Sequence, residues 1–587
     1  MLSVTKKVLH ILDKKQKSKI IIIGIMMLLG GVMESFSVTL ILPLMTAITD
    51  ESGWNTPWYT KLVCDIFGIE SHKEYISVLL GLLIIIFIGK NIYLLIEYFV
   101  QNTFITRNRF RMQCQLLHRF MNKPYTFFLN ASSGEIYRII TGDTVNAFSC
   151  LTQVLSFYTE LVICVALGVT IFIMSPSMAS SVIIILLIEV LVLVKIIKPI
   201  MLHFGNENRQ ENALANKWIL QAISGIKSIK VTEKEYFFEE KYEAHSGKVV
   251  QNEGKSLTIN NSPKVFIEAV TIAGVLGILL VSVLNDVDIS LMVPQLATFC
   301  VAAVKLLPSA NKISVCISQT SYSEGGLDNV IALLDESPRG ELNQSVFASG
   351  CFSAKKIKFN KEIHFDNITF AYSDEQEPIL KDADFSIKLG ESVGIVGPSG
   401  SGKTTSIDII LGLLEPQQGA VLVDGIDIRQ DMKGWRNELA YIPQTIFLTD
   451  DSIRANVAFG LHENEISDEK VWKALEEAQM KSFVESLPMG LDTVVGEQGV
   501  RLSGGQRQRI GIARALYNDP KVIFLDEATA ALDNETEAAI MESINHLKGR
   551  KTMIIIAHRL TTIANCDVVY RVENGKVTKD TIDLQGV

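Results

Sequence analysis

Residues 392–414 read SVGIVGPSGSGKTTSIDIILGLL, a short β-branched run, a glycine-rich loop and then an apolar stretch at helical spacing. The loop fits G-x-x-x-x-G-K-[ST] at Gly397, Gly402, Lys403 and Thr404, with a strand predicted before it and a helix after it. Glycine is what such a loop requires, because backbone N–H groups must close around phosphate oxygens at the helix N-terminus. Gly397, Ser399, Gly400, Ser401 and Gly402 would form that cradle, continued by Thr405. Lys403 would reach the outer phosphates and Thr404 would offer a hydroxyl to Mg²⁺. The expected ligand is therefore a nucleoside triphosphate with Mg²⁺, held by an α/β P-loop domain.

Downstream, KVIFLDEATAALD reads as a buried strand that delivers Asp526 and Glu527 at its C-terminal end, the edge where open α/β sheets bind ligands. Asp526 suits the metal shell, and Glu527 suits a base that polarises an attacking water. The pair of motifs points to nucleotide hydrolysis.

Upstream the composition changes. The chain has 587 residues, 48% of them hydrophobic, and a mean hydropathy of +0.27, values that a globular protein of this size does not reach without segments in lipid. Apolar windows of about 20 residues, enough for ~30 Å of hydrocarbon, occur at roughly 20–47, 76–100, 149–174, 179–200, 263–284 and 290–311. Lysines 6, 7, 14, 15, 17 and 19 precede the first window, and the loop between the second and third is also basic, so the N-terminus is expected in the cytoplasm. The net charge of −9 argues against a nucleic-acid surface. The expected division is a six-helix membrane domain over 1–330, a linker over 331–354 and the nucleotide-binding domain over 355–587.

At RLSGGQRQRIGIARAL, residues 501–516, the sequence resembles the ATP-binding cassette (ABC) transporters of exporter type, whose signature is LSGGQ. That resemblance implies a type I exporter fold and assigns further residues. Tyr372 matches the aromatic that stacks on adenine, and Gln444 the glutamine that senses γ-phosphate and metal. Asp533 matches a subunit-communicating aspartate and His558 the switch histidine at the γ-phosphate. Ser503, Gly504, Gly505 and Gln506 would contact the nucleotide held by a second subunit. The active unit implied is a homodimer with two composite sites, both hydrolytic, in a bacterial cytoplasmic membrane with the cassettes inside. FFLNASSGEIYRIITGD and ISGIKSIKVTEKEYFFEEKY resemble the two intracellular loops that seat in such cassettes.

Membrane stretches including GKNIYLLIEYF, SPKVFIEAV and VKLLPSANKI resemble the bacterial flippases of polyprenyl-pyrophosphate-linked oligosaccharides. The resemblance implies transport of a lipid-linked glycan, with multidrug, lipid A-like and peptide export as alternatives. It also implies that Lys90, Lys264 and Lys305 contact pyrophosphate, although arginine is the residue favoured there and lysine lacks its two-oxygen fork. At 1.5 Å per residue Lys90 and Lys305 both lie roughly 21–23 Å below the outer face. Either a cavity or snorkelling to the inner headgroups accounts for them, and Lys264 begins the fifth window at the inner face.

Overall fold

The computed structural model describes residues 1–39, 44, 48, 58–69, 71–174, 193–284, 289–335, 357–373, 377–526, 542, 544, 546–556, 563 and 565–580. Two compact units form, one of residues 1–123 with 130–345 and one of residues 124–129 with 346–587.

The first unit is helical. After an N-terminal helix, Leu2–His10, come Lys14–Thr39, Trp58–Phe67, His72–Met121, Ser133–Arg138, Thr144–Met174, Lys198–Ser224, Ile226–Thr232, Glu235–Leu284 and Ile289–Asp335. Among the described residues Lys14–Glu34, His72–Met121 and Ser133–Ala166 are long and apolar enough to cross a membrane. The windows at 263–284 and 290–311 fall on Glu235–Leu284 and Ile289–Asp335, whereas most of the window at 179–200 lies outside the described residues. The second and fifth windows sit in helices of 50 residues each. At 1.5 Å per residue that is about 75 Å, more than twice a hydrocarbon core, so these helices continue well beyond the bilayer. WYTKLVCDIF, between the first two windows, is helical over Trp58–Phe67.

Small residues set how closely the helices pack. A Cβ on Gly205 would collide with the Tyr322 carbonyl oxygen and lie 2.9 Å from its carbon, so Lys198–Ser224 and Ile289–Asp335 meet backbone to backbone. The N-terminal helix buries Val4 and Val8. It is pinned to the last helix of the unit by Lys7 Nζ on Glu324 at 2.7 Å and by His10 Nε2 on Asp335 at 2.8 Å. Lys312 pairs with Glu160 at 2.7 Å.

The second unit carries two sheets. The antiparallel one runs in the order β2 (Leu380–Lys388), β1 (Glu362–Phe370), β4 (Gln418–Val423), β5 (Ile426–Asp427). The other runs β10 (Lys576–Asp580), β9 (Val568–Glu573), β3 (Ser392–Val396), β8 (Thr552–Ile556), β7 (Val522–Asp526), β6 (Leu439–Ile442), parallel except for the β9–β10 pair. β7 and β8 are buried at every position, as expected of parallel strands covered on both faces. Trp435 seals one layer, fully buried, with its indole N–H donating to the Ile410 carbonyl at 2.7 Å.

Candidate functional site

The parallel sheet brings the predicted groups to one edge. Ile395 of β3 and Asp526 of β7 both pair with Ile556 of β8, so the loop after β3 and the carboxylate ending β7 leave the sheet at the same level. β6 ends alongside β7 and releases the chain to Gln444, which is exposed.

The loop after β3 turns through Gly397, Gly400 and Gly402 at φ values of 153, 80 and 104°. A side chain at Gly397 would run into the Val572 carbonyl, so that position tolerates only glycine for steric as well as conformational reasons. Ser399 and Gly400 are exposed at the loop crest. Lys403 opens the helix Lys403–Ile410, buried, with Nζ donating to the carbonyls of Gly397 and Pro398 at 2.9 Å each. Ser401 Oγ is buried without a hydrogen-bond partner among the described residues. Thr404 is exposed beside the buried Thr405. A loop with upturned backbone, an orphan hydroxyl and a folded-back ammonium fits a polyphosphate, and Thr404, Gln444 and Asp526 supply the oxygen donors that a magnesium ion accepts.

Tyr372 is 46% exposed. Its hydroxyl lies 3.2 Å from Thr405 Oγ1 and its ring stands edge-on to Phe370, which leaves a ring face available for stacking. The signature segment begins a helix, Gly504–Leu516, with Ser503 as its N-cap. Ser503 Oγ accepts from the Gln506 N–H and the Gln506 side chain accepts from the Ser503 N–H. This capping box ties down both polar side chains while the exposed Gly504 leaves the first turn uncovered; Gly505 is buried. Glu527, Asp533 and His558 lie outside the described residues.

Three further groups at this edge were not singled out from sequence. Tyr441 donates to Asp526 Oδ2 at 3.2 Å. Asp408, inside the P-loop helix, has its carboxyl pushed up to about 6, first by burial and then by the Asp526 charge. Tyr125, in the 124–129 segment that clusters with this unit, has its phenol raised by burial and by the Asp408 charge. Asp408 stands five residues beyond Lys403 between Ile407 and Ile409, a position that draws notice without revealing Asp526 as its neighbour.

Of the three membrane lysines, Lys90 is 3% exposed with Nζ 4.8 Å from the Phe87 ring centroid. It is enclosed by its own chain. Lys264 is exposed, and the side chain of Lys305 lies outside the described residues.

Residues 20–306 match the ABC transporter transmembrane region and residues 380–530 the ABC transporter family model. The heterocyst differentiation ATP-binding protein HepA of a Nostoc species is 30% identical over 80% of this chain and 75% of its own length. The chain belongs to the ABC transporter family. Mouse ATP-binding cassette sub-family B member 10, mitochondrial, is 31% identical over 80% of this ABC transporter, which spans 65% of the mouse protein's length. An ATP-dependent lipid A-core flippase of Desulfotalea psychrophila is 28% identical over 89% of this chain and 90% of its own. A solved bacterial Atm1-family ABC exporter with ATP bound superposes with a TM-score of 0.76 at 22% identity, covering 96% of this chain and 95% of that one, which establishes a shared exporter fold. The second unit of this ABC transporter thus carries the ATP-binding cassette, in one chain with a transmembrane domain of exporter fold.

Proposed function

We propose that this chain is half of an ATP-driven exporter, working as a pair of identical chains in a bacterial cytoplasmic membrane, that flips a lipid bearing a phosphorylated headgroup. The observation that carries the reading is the convergence of the glycine loop, Lys403, Gln444 and Asp526 on one sheet edge in a chain whose other unit contains membrane-length helices. Lys403 and the loop amides hold the phosphates. Magnesium, when bound at Thr404, Gln444 and Asp526, neutralises charge on them. Glu527 accepts a proton from the attacking water, and His558 contacts the γ-phosphate. Ser503, Gly504, Gly505 and Gln506 serve the partner copy's nucleotide through the open first turn of their helix, and Asp533 links the subunits. In this reading the membrane domain ends near 330 and the cassette begins near 355.

Within that class the substrate is a polyprenyl-pyrophosphate-linked oligosaccharide, with a lipid A-like lipid as the second reading. A buried ammonium in a membrane helix, Lys90, supports an anionic headgroup. The lipid A-core flippase similarity favours a phosphorylated lipid without separating the two. The test is ATP turnover of the chain reconstituted in lipid, with Glu527→Gln as the inactive control. Stimulation by polyprenyl-pyrophosphate glycan, by lipid A, or by hydrophobic cations is then compared. Stimulation by either phosphorylated lipid identifies the substrate within the reading, and stimulation by the cations alone overturns it.

A further inference from the structure

Below the membrane-crossing windows, three segments of the first unit converge on one buried carboxylate. The loop after the second window ends in a π turn, Ile139–Asp143, which widens the backbone hydrogen bonding to i→i+5. Such turns are rare and recur at functional positions. Asp143, 1% exposed, closes that turn. Its Oδ2 accepts from Arg138 at 2.6 Å and from Asn329 of the last helix at 2.9 Å, while Oδ1 finds no hydrogen-bond partner among the described residues.

Arg209, on Lys198–Ser224, lies within electrostatic reach of Asp143. Its Nη2 donates to Asn206 at 2.9 Å, but Nε and Nη1 are buried with no hydrogen-bond partner among the described residues. The guanidinium lies flat on Gly325, where any Cβ would overlap it, and a Cβ on the adjacent Gly326 would stand 2.7 Å from the Asn146 Cβ. The glycine pair thus lets two neighbouring segments close on the last helix. It also gives the arginine a bed that no other residue could provide.

Buried charged groups with unused hydrogen-bonding capacity are unfavourable, and here a carboxylate oxygen and two guanidinium donors stand in that condition close together. Both residues border the same glycine pair, Arg209 at Gly325 and Asp143 with its Cα 3.3 Å from a Cβ placed on Gly326. We propose that Asp143 and Arg209 form a movable ion pair that couples the cassette to the last membrane helix. In one arrangement Asp143 is held by Arg138 and Asn329, and in the other by Arg209. The chain itself supplies the connection, because residues 124–129 of the same loop cluster with the cassette and residues from 130 onward with the membrane unit. Asp143 and Arg209 act as positioning residues, and the inference rests on the ATP-driven export reading.

The experiment is hydrogen exchange on the full-length chain in lipid nanodiscs, with and without ATP plus vanadate. In the wild-type protein the nucleotide protects 397–405 and changes exchange in 136–146, 203–212 and 320–330. Asp143→Asn and Arg209→Gln each lose the change in those three segments while 397–405 stays protected. Arg209→Lys, which keeps a cation on that helix and leaves the Arg138 and Asn329 contacts of Asp143 intact, retains the change that Arg209→Gln loses, which a purely structural role would not require. Gly325→Ala, whose added carbon displaces the guanidinium, shows the altered exchange without nucleotide. An unchanged response in Asp143→Asn, or an Arg209→Lys protein no better than Arg209→Gln, overturns the pair and leaves the export reading standing. A wild-type chain with no ATP turnover and no protection at 397–405 overturns the export reading and the pair with it.

Discussion

Asp408 illustrates what one residue contributes at the nucleotide edge. Free in an unfolded chain it loses its proton near 3.8, whereas in the folded cassette burial and the neighbouring Asp526 hold the proton until about pH 6. Between those values the folded state binds more protons than the unfolded one, so stability falls as pH rises through that window. Asp408→Asn removes the liability. It should stabilise the nucleotide-free protein by about 1–2 kcal/mol at pH 7.5, below the full linkage value because the sheet edge is partly wet, with the advantage vanishing towards pH 4. Thermal melting from pH 4 to 8 checks this, and a variant less stable than wild type at pH 7.5 would refute it. The motif residues around Asp408 could be read from sequence because phosphate chemistry dictates their types and spacing. Asp408 and Tyr441 could not, because their importance comes from facing Asp526 across strands distant in the chain.

At the level of elements, apolar run length was enough to place helices such as His72–Met121, and their polar continuations followed from composition. Which faces meet was not readable, since the membrane-crossing window of such a helix, 76–100, is apolar nearly all round and has no single seam in its pattern. Glu160 is an example. The structure pairs it with Lys312, 152 residues away in the chain. Gly205 shows how narrow such a contact is. Its hydrogen faces the Tyr322 backbone, so Gly205→Val must push Lys198–Ser224 away from Ile289–Asp335. The expected cost is about 1–3 kcal/mol, the range for overpacking. It would be read as a lowered melting temperature in lipid, and an unshifted melt would show that the two helices separate without penalty.

For the whole molecule, the composite-site reading makes a prediction about mixtures of chains. If each signature serves its partner's nucleotide, Lys403→Ala and Ser503→Ala chains alone form pairs in which both sites are defective. Co-assembled, they leave one site with an intact P-loop and an intact signature, so mixed pairs isolated by two affinity tags should recover about half of the wild-type ATP turnover. Mixed pairs as inactive as either parent would exclude shared sites. The amino-acid sequence by itself determined the class of this protein, because a P-loop, an acidic strand end and a signature follow from the local chemistry of phosphate and do not depend on how distant segments meet. It also determined that part of the chain lies in lipid, since transfer free energy sums along consecutive residues. Only the tertiary structure decided that Lys90 is enclosed, that Lys312 answers Glu160, and that Asp143 and Arg209 stand near each other with unused hydrogen-bonding atoms. Those relations depend on the rotation of each helix about its own axis, which packing against neighbours sets and local sequence does not encode.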